Sequence, residues 1–137
     1  MSLIYPMLVQ IVLTLAILIL TARARIRVLR DREVRVSDIA VRGEAWPERV
    51  RILTNNYANQ FETPVLFYAL VLAAMIVGAD GPVMVALAWL FVATRLVHSL
   101  IHLNGNNVSR RFRVFVLGVL VLLGMIATLL AAVIGAG

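Results

Sequence analysis

Three polar clusters interrupt an otherwise apolar chain, and each carries groups that could bind or activate a ligand. Arg51, Asn55, Asn59 and Glu62 lie on the approach to the second apolar run. On one continuous helix, Asn55, Asn59 and Glu62 share a face, because their spacing is i, i+4, i+7. Arg95, His98 and His102 close the third apolar run at i, i+3, i+7, again one face. Arg110 and Arg111 open the fourth. Guanidinium forks suit carboxylates and phosphates, and Glu62 suits an amine. The set therefore points to a small anionic ligand that also carries an amine. The N-termini of the second and fourth helices add partial positive charge at the same end. The chain has no cysteine, so any thiol chemistry must be done on a thiol that a ligand brings in.

Other chemistries fit less well. His98 and His102 are one turn apart, and Glu62 could complete a three-ligand metal set. Arg95 lies one turn away on the same face, and a guanidinium disfavours a dication, so no metal is expected. No glycine-rich phosphate loop is present, which argues against a nucleotide. The isoelectric point near 11.3 would suit nucleic acid, but the arginines flank apolar runs, so membrane topology explains them better and no nucleic-acid partner is expected. Asn56 and Gln60 read as interhelical glue. Tyr5, Trp46, Trp89 and Phe91 read as interface or packing residues.

The elements that position these groups follow from composition. Of 137 residues, 62% are hydrophobic, well above the roughly half typical of soluble domains. A bilayer needs about 20 apolar residues per helix; three runs meet that need, and a fourth meets it with residues upstream of it. The expected fold is an all-α, integral membrane four-helix bundle, up-down, in a single domain over 1–137. Its spans are roughly 3–22, 54–79, 82–103 and 111–134, with loops 23–53 and 104–110. The run Pro64 to Ala79 is too short alone, so the second helix must begin upstream among polar residues. Pro64 either kinks it or opens a shorter helix with Thr63 as cap. Asp80 can cap the third helix, with Pro82 early in it. Asn104-Gly105-Asn106-Asn107 reads as a turn.

Charge sets the orientation. Nine arginines face five acids between Arg23 and Arg51, and Arg110, Arg111 and Arg113 follow in the third connection without an acid. Arginine-rich short loops stay cytoplasmic, so both termini are expected outside the cytoplasm. Arg23, Arg25, Arg27 and Arg30 suggest that the first helix continues past the apolar run. Most of these arginines read as contacts to anionic lipid, with one or two turned inward. The absence of positive charge before the first apolar run argues for a retained helix and against a cleaved signal. Four helices that each touch lipid leave a thin core, so oligomerisation is expected.

Asn59-Gln60-Phe61-Glu62-Thr63-Pro64, preceded by Arg49-Val50-Arg51, resembles the second-helix signature of the membrane-associated proteins in eicosanoid and glutathione metabolism, the MAPEG family. Arg95-Leu96-Val97-His98, followed by His102 and Arg111, is similar to that family's third-helix signature and to the arginine opening its fourth helix. The resemblance covers most of the chain. It implies a homotrimer with glutathione bound between subunits near the cytoplasmic face. It implies a glutathione-dependent transferase or peroxidase acting on lipophilic electrophiles or lipid hydroperoxides. Carried over by position, Asn59 and Glu62 contact the peptide and its amine, and Arg95, His98, His102 and Arg111 line the site. Arg111 lies near the sulfur as the catalytic residue, and Arg51 with one of Arg23, Arg25 or Arg27 meets the carboxylates. Three positions depart from the family pattern: Ala58 replaces a basic residue, His102 stands where a tyrosine is common, and Phe112 leaves no hydroxyl beside Arg111. Thiolate stabilisation then falls to Arg111, with His102 as a second candidate. The alternative is a non-catalytic membrane protein of the same fold that binds lipid headgroups or serves a structural role.

Overall fold

The computed structural model of the chain describes residues 3–41 and 43–135; Met1, Ser2, Arg42, Ala136 and Gly137 lie outside the described residues. The described residues are helical with no strand. The helices are α1 (Ile4–Arg30), α2 (Val36–Val41), α3 (Glu48–Ala58), α4 (Thr63–Ile76), α5 (Pro82–Leu103) and α6 (Val108–Gly135). Four segments are long and apolar enough to cross a membrane: Ile4–Arg30, Glu48–Ile76, Pro82–Leu103 and Val108–Gly135. The chain is thus an all-helical integral membrane protein with four spans.

The first helix runs without interruption through its arginines to Arg30. At 1.5 Å per residue it is about 40 Å long, against roughly 30 Å of bilayer hydrocarbon. It ends where Arg32 takes a positive φ of 55°. The amide of Glu33 then bonds back to the Val28 carbonyl at 3.0 Å, a turn that satisfies the last carbonyls. The same closure ends α4 at Gly78 and α5 at Gly105, where φ is 71° and 87°. There the amides of Ala79 and Asn106 reach the Ala74 and Ile101 carbonyls. Glycine suits both sites because it adopts that backbone without steric cost. The first connection is folded rather than open: α2 sits within it, α3 starts at Glu48, and Arg49 pairs with Glu33 across it.

The second span is two helices with a joint. After α3, Asn59–Phe61 form a single 3-10 turn, and Glu62 breaks the helix at φ −90° and ψ −101°. Pro64 follows in the first turn of α4, where its missing N–H costs nothing. Pro64 therefore opens a shorter helix, and Glu62, not Thr63, holds the cap position. Likewise Gly81, not Asp80, is the cap residue of α5. In both cases the cap position is set by where the backbone leaves helical angles, and a polar side chain one residue away does not move it.

The fifth helix is the central one, touching α1, α3, α4 and α6. Phe67 and Phe91 stack at 4.6 Å in the buried core with Val71, Ala88, Val121 and Met125. Helices α5 and α6 approach closely at Gly118, where an added Cβ would lie 3.1 Å from the Thr94 hydroxyl. Small residues at such crossings let the backbones meet. Gly118→Leu is expected to destabilise the protein by about 1–3 kcal/mol through overpacking. Thermal unfolding in detergent checks this; an unchanged melting temperature would refute the close-packed crossing.

Candidate functional site

The polar face of α5 is turned inward at the arginine-rich end. Arg95, His98 and His102 are 2%, 4% and 2% exposed, as expected if polar groups in a span avoid lipid. Arg95 Nη2 donates to the main-chain carbonyl of Asn59 at 2.9 Å. That carbonyl lies in the 3-10 turn at the joint of the second span, so Arg95 ties the joint to α5. The Glu62 carboxylate lies within electrostatic reach of Arg95. The Arg95 Nε and the His98 Nδ1 are buried without a hydrogen-bond partner.

Arg111 enters from the first turns of α6, which Asn107 caps by accepting the Arg110 amide on its Oδ1 at 3.0 Å. Its Nη1 donates to Asn106 Oδ1 at 2.6 Å and lies 2.9 and 3.1 Å from the two ring nitrogens of His102. Either neutral tautomer of His102 leaves one ring nitrogen as an acceptor for it. His98 and His102 are stacked, with centroids 6.2 Å apart.

Two cavities flank this arrangement. The inner one, about 220 Å³, is lined by Asn59, His98, Val108, Arg111, Phe112 and Phe115. The outer one, about 500 Å³, is lined by Arg25, Glu44, Trp46, Glu48, Arg51, Thr54, Asn55 and Asn106, among others. Among the first-loop arginines, Arg25 is the one that turns inward. It donates to Thr54 Oγ1 at 3.0 Å and lies 5.5 Å over the Trp46 ring, a cation–π geometry. Its Nε is buried without a partner. Arg23 and Arg27 are exposed.

The site residues read from the sequence fall into these places unevenly. Asn59, His98 and Arg111 meet at the inner cavity, and Arg51 and Asn55 at the outer one. His102 lies behind Arg111 and lines neither cavity. Glu62 is exposed. Asn59 follows Asn55 by one regular helical turn, but Glu62 does not join their face, because the spacing rule needs one continuous helix and a 3-10 turn at Asn59–Phe61 intervenes. Glu44, Glu48, Trp46, Thr54 and Asn106 were not legible as site residues. Glu48 and Thr54 belong to the first turns of a helix that begins earlier than its apolar run. Glu44 and Trp46 arrive from a loop whose path periodicity does not encode.

Asn56 and Gln60 do serve between helices. Gln10 Nε2 donates to Gln60 Oε1 at 3.1 Å, and Gln60 Nε2 donates to Ser99 Oγ at 3.2 Å and to the Asn56 carbonyl at 3.2 Å. Gln10 and Gln60 are fully buried. Among the described residues no three metal-ligating side chains come together.

These features define a four-span helical membrane protein with an arginine, imidazole and amide site at one end. The chain belongs to the MAPEG family, whose model matches residues 3–131 of its 137. It is therefore a membrane protein of the glutathione and eicosanoid metabolism family. Searches of curated proteins and of solved structures find no match to it.

Proposed function

We propose that the chain is a glutathione-dependent transferase or peroxidase acting on lipophilic electrophiles or lipid hydroperoxides. The observation that carries this reading is the convergence of Asn59, His98 and Arg111 on the inner cavity in a member of this family. The donor set fits the tripeptide. Arg25 and Arg51 offer forks for two carboxylates, and the buried, unpartnered Nε of Arg25 leaves a donor to satisfy. Two arginines against Glu44 and Glu48 make the outer cavity suited to a zwitterion rather than a bare anion. Glu44 and Glu48 join Glu62 as acids for the amine.

Bound glutathione would supply the thiol sulfur that attacks the electrophile or the peroxide oxygen. Arg111, the catalytic residue of this proposal, stabilises that sulfur as thiolate, since a nearby cation favours the charged thiol form. Asn59 and His98 orient the ligand beside it. Val108, Phe112 and Phe115 line the apolar side of the inner cavity. An apolar groove of about 450 Å³ between α1 and the second span, lined by Ile11, Leu15, Tyr57, Phe61 and Leu72 among others, supports entry of substrates dissolved in lipid.

The working unit in this proposal is a homotrimer. Arg51, Asn55 and Glu62 are exposed on the second span, and such groups are costly against hydrocarbon. A neighbouring copy would cover them and complete the site. The charge pattern supports a cytoplasmic site and termini on the opposite face of a bacterial inner membrane.

Millimolar glutathione is expected to raise the melting temperature of the detergent-solubilised wild type but not of Glu62→Ala or Arg111→Ala. No shift in the wild type would sink the proposal. The second reading, a non-catalytic protein of the same fold with a structural or headgroup-binding role, draws on the Gln10–Gln60–Ser99 network. It shows that part of the polar set is already spent on joining helices. An anionic-lipid shift without a glutathione shift would favour it.

A further inference from the structure

We propose that Asn106 is a positioning residue that fixes the Arg111 guanidinium at the inner cavity and links it to the outer one. The inference rests on the glutathione-dependent reading for its catalytic consequence, but not for the placement itself. Asn106 belongs to the turn between α5 and α6, which the sequence presents as a mere connection. Its backbone is unusual: φ is 46°, directly after Gly105 at 87°. Asparagine is among the few non-glycine residues that tolerate this left-handed region. Two consecutive residues of this kind aim the Asn106 side chain back at α6 instead of away from it. There its Oδ1 accepts from Arg111 Nη1 at 2.6 Å. The backbone amide of Asn106 bonds to the Ile101 carbonyl at 3.1 Å, so the turn is anchored to α5.

Arginine carries long rotamer freedom, and ordering such a chain is entropically costly. His102 alone does not set its direction, because both ring nitrogens lie at nearly equal distance from the same Nη1. The Asn106 oxygen supplies the second, directed contact. Asn106 also lines the outer cavity beside Arg25, Arg51 and Asn55. A ligand spanning both cavities would therefore have Asn106 between its carboxylate end and its sulfur end. Arg111 sits on α6, but the contact that directs its guanidinium comes from the turn before that helix.

The test compares Asn106→Gly, which keeps the backbone geometry and removes the amide, with Asn106→Asp, which keeps the oxygen acceptor. The first readout needs no ligand: phenylglyoxal labelling of Arg111, mapped by mass spectrometry, with the exposed Arg110 and Arg113 as internal references. Asn106→Gly is expected to raise Arg111 labelling several-fold at an unchanged melting temperature, and Asn106→Asp to leave it at the wild-type level. The second readout is glutathione conjugation of a generic electrophile. Asn106→Gly is expected to lower kcat by about tenfold, with KM for glutathione within about twofold, and Asn106→Asp to restore most of kcat. Unchanged Arg111 labelling in Asn106→Gly overturns the proposal, as does increased labelling with unchanged kcat. A wild type inert toward glutathione would overturn the functional reading alone, while the labelling comparison still decides the placement.

Discussion

Arg111→Ala is expected to lower kcat/KM for glutathione conjugation by roughly 100-fold, the usual loss when one preorganised donor to developing charge is removed. That corresponds to about 2.7 kcal/mol of transition-state stabilisation. The expectation follows from position: Arg111 is half-buried, lines the inner cavity with Asn59 and His98, and has no hydroxyl-bearing neighbour to share its role, since Phe112 follows it. Arg111→Lys should fall between wild type and alanine, because lysine keeps the charge but not the planar guanidinium whose Nη1 meets Asn106 and His102. Melting curves of both variants separate chemistry from folding. Activity of Arg111→Ala within twofold of wild type would remove this residue from the mechanism.

Phe67→Ala is expected to have the largest effect on stability, about 3 kcal/mol. Large-to-small changes at buried aromatics in soluble proteins cost about 3–5 kcal/mol. The lower end applies here because lipid is as apolar as the core, so the transfer from water largely drops out. What remains is the lost packing and the cavity. Phe67 is fully buried, stacks on Phe91 and joins α4 to α5. Chemical unfolding in bicelles or mixed micelles measures this directly. A loss below about 1 kcal/mol would mean that the core relaxes around the gap, against the close packing described.

Much of this architecture is legible in the residues, and the reasons differ by element. The spans follow from apolar run length, because nothing else satisfies a backbone in hydrocarbon. The inward face of α5 follows from the spacing of Arg95, His98 and His102, because α5 is one unbroken helix. The same logic fails on the second span. Its polar residues have helical spacing, yet the 3-10 turn at Asn59–Phe61 and the break at Glu62 take Glu62 off the helical face of Asn55 and Asn59. Periodicity presumes continuity and cannot report its loss. Arg25 was indistinguishable from Arg23 and Arg27 by composition. Thr54 and the loop residue Trp46, both distant in sequence, hold it inward. Asn106 was hidden for a related reason: a turn's composition reveals that the chain reverses, but not which side chain the reversal aims.

The Gln10–Gln60–Ser99 network also bears on how the protein is made. Its members come from the first, second and third spans, which enter the membrane in that order. Until α5 arrives, Gln60 can share hydrogen bonds only with Gln10 and Asn56, and the Ser99 contact is missing. Amides in hydrocarbon without partners are unfavourable, so the first two spans should pair early and remain incomplete until the third joins them. The network thus ties the first three spans together, and a bundle without the third span would leave Gln60 short of its Ser99 contact.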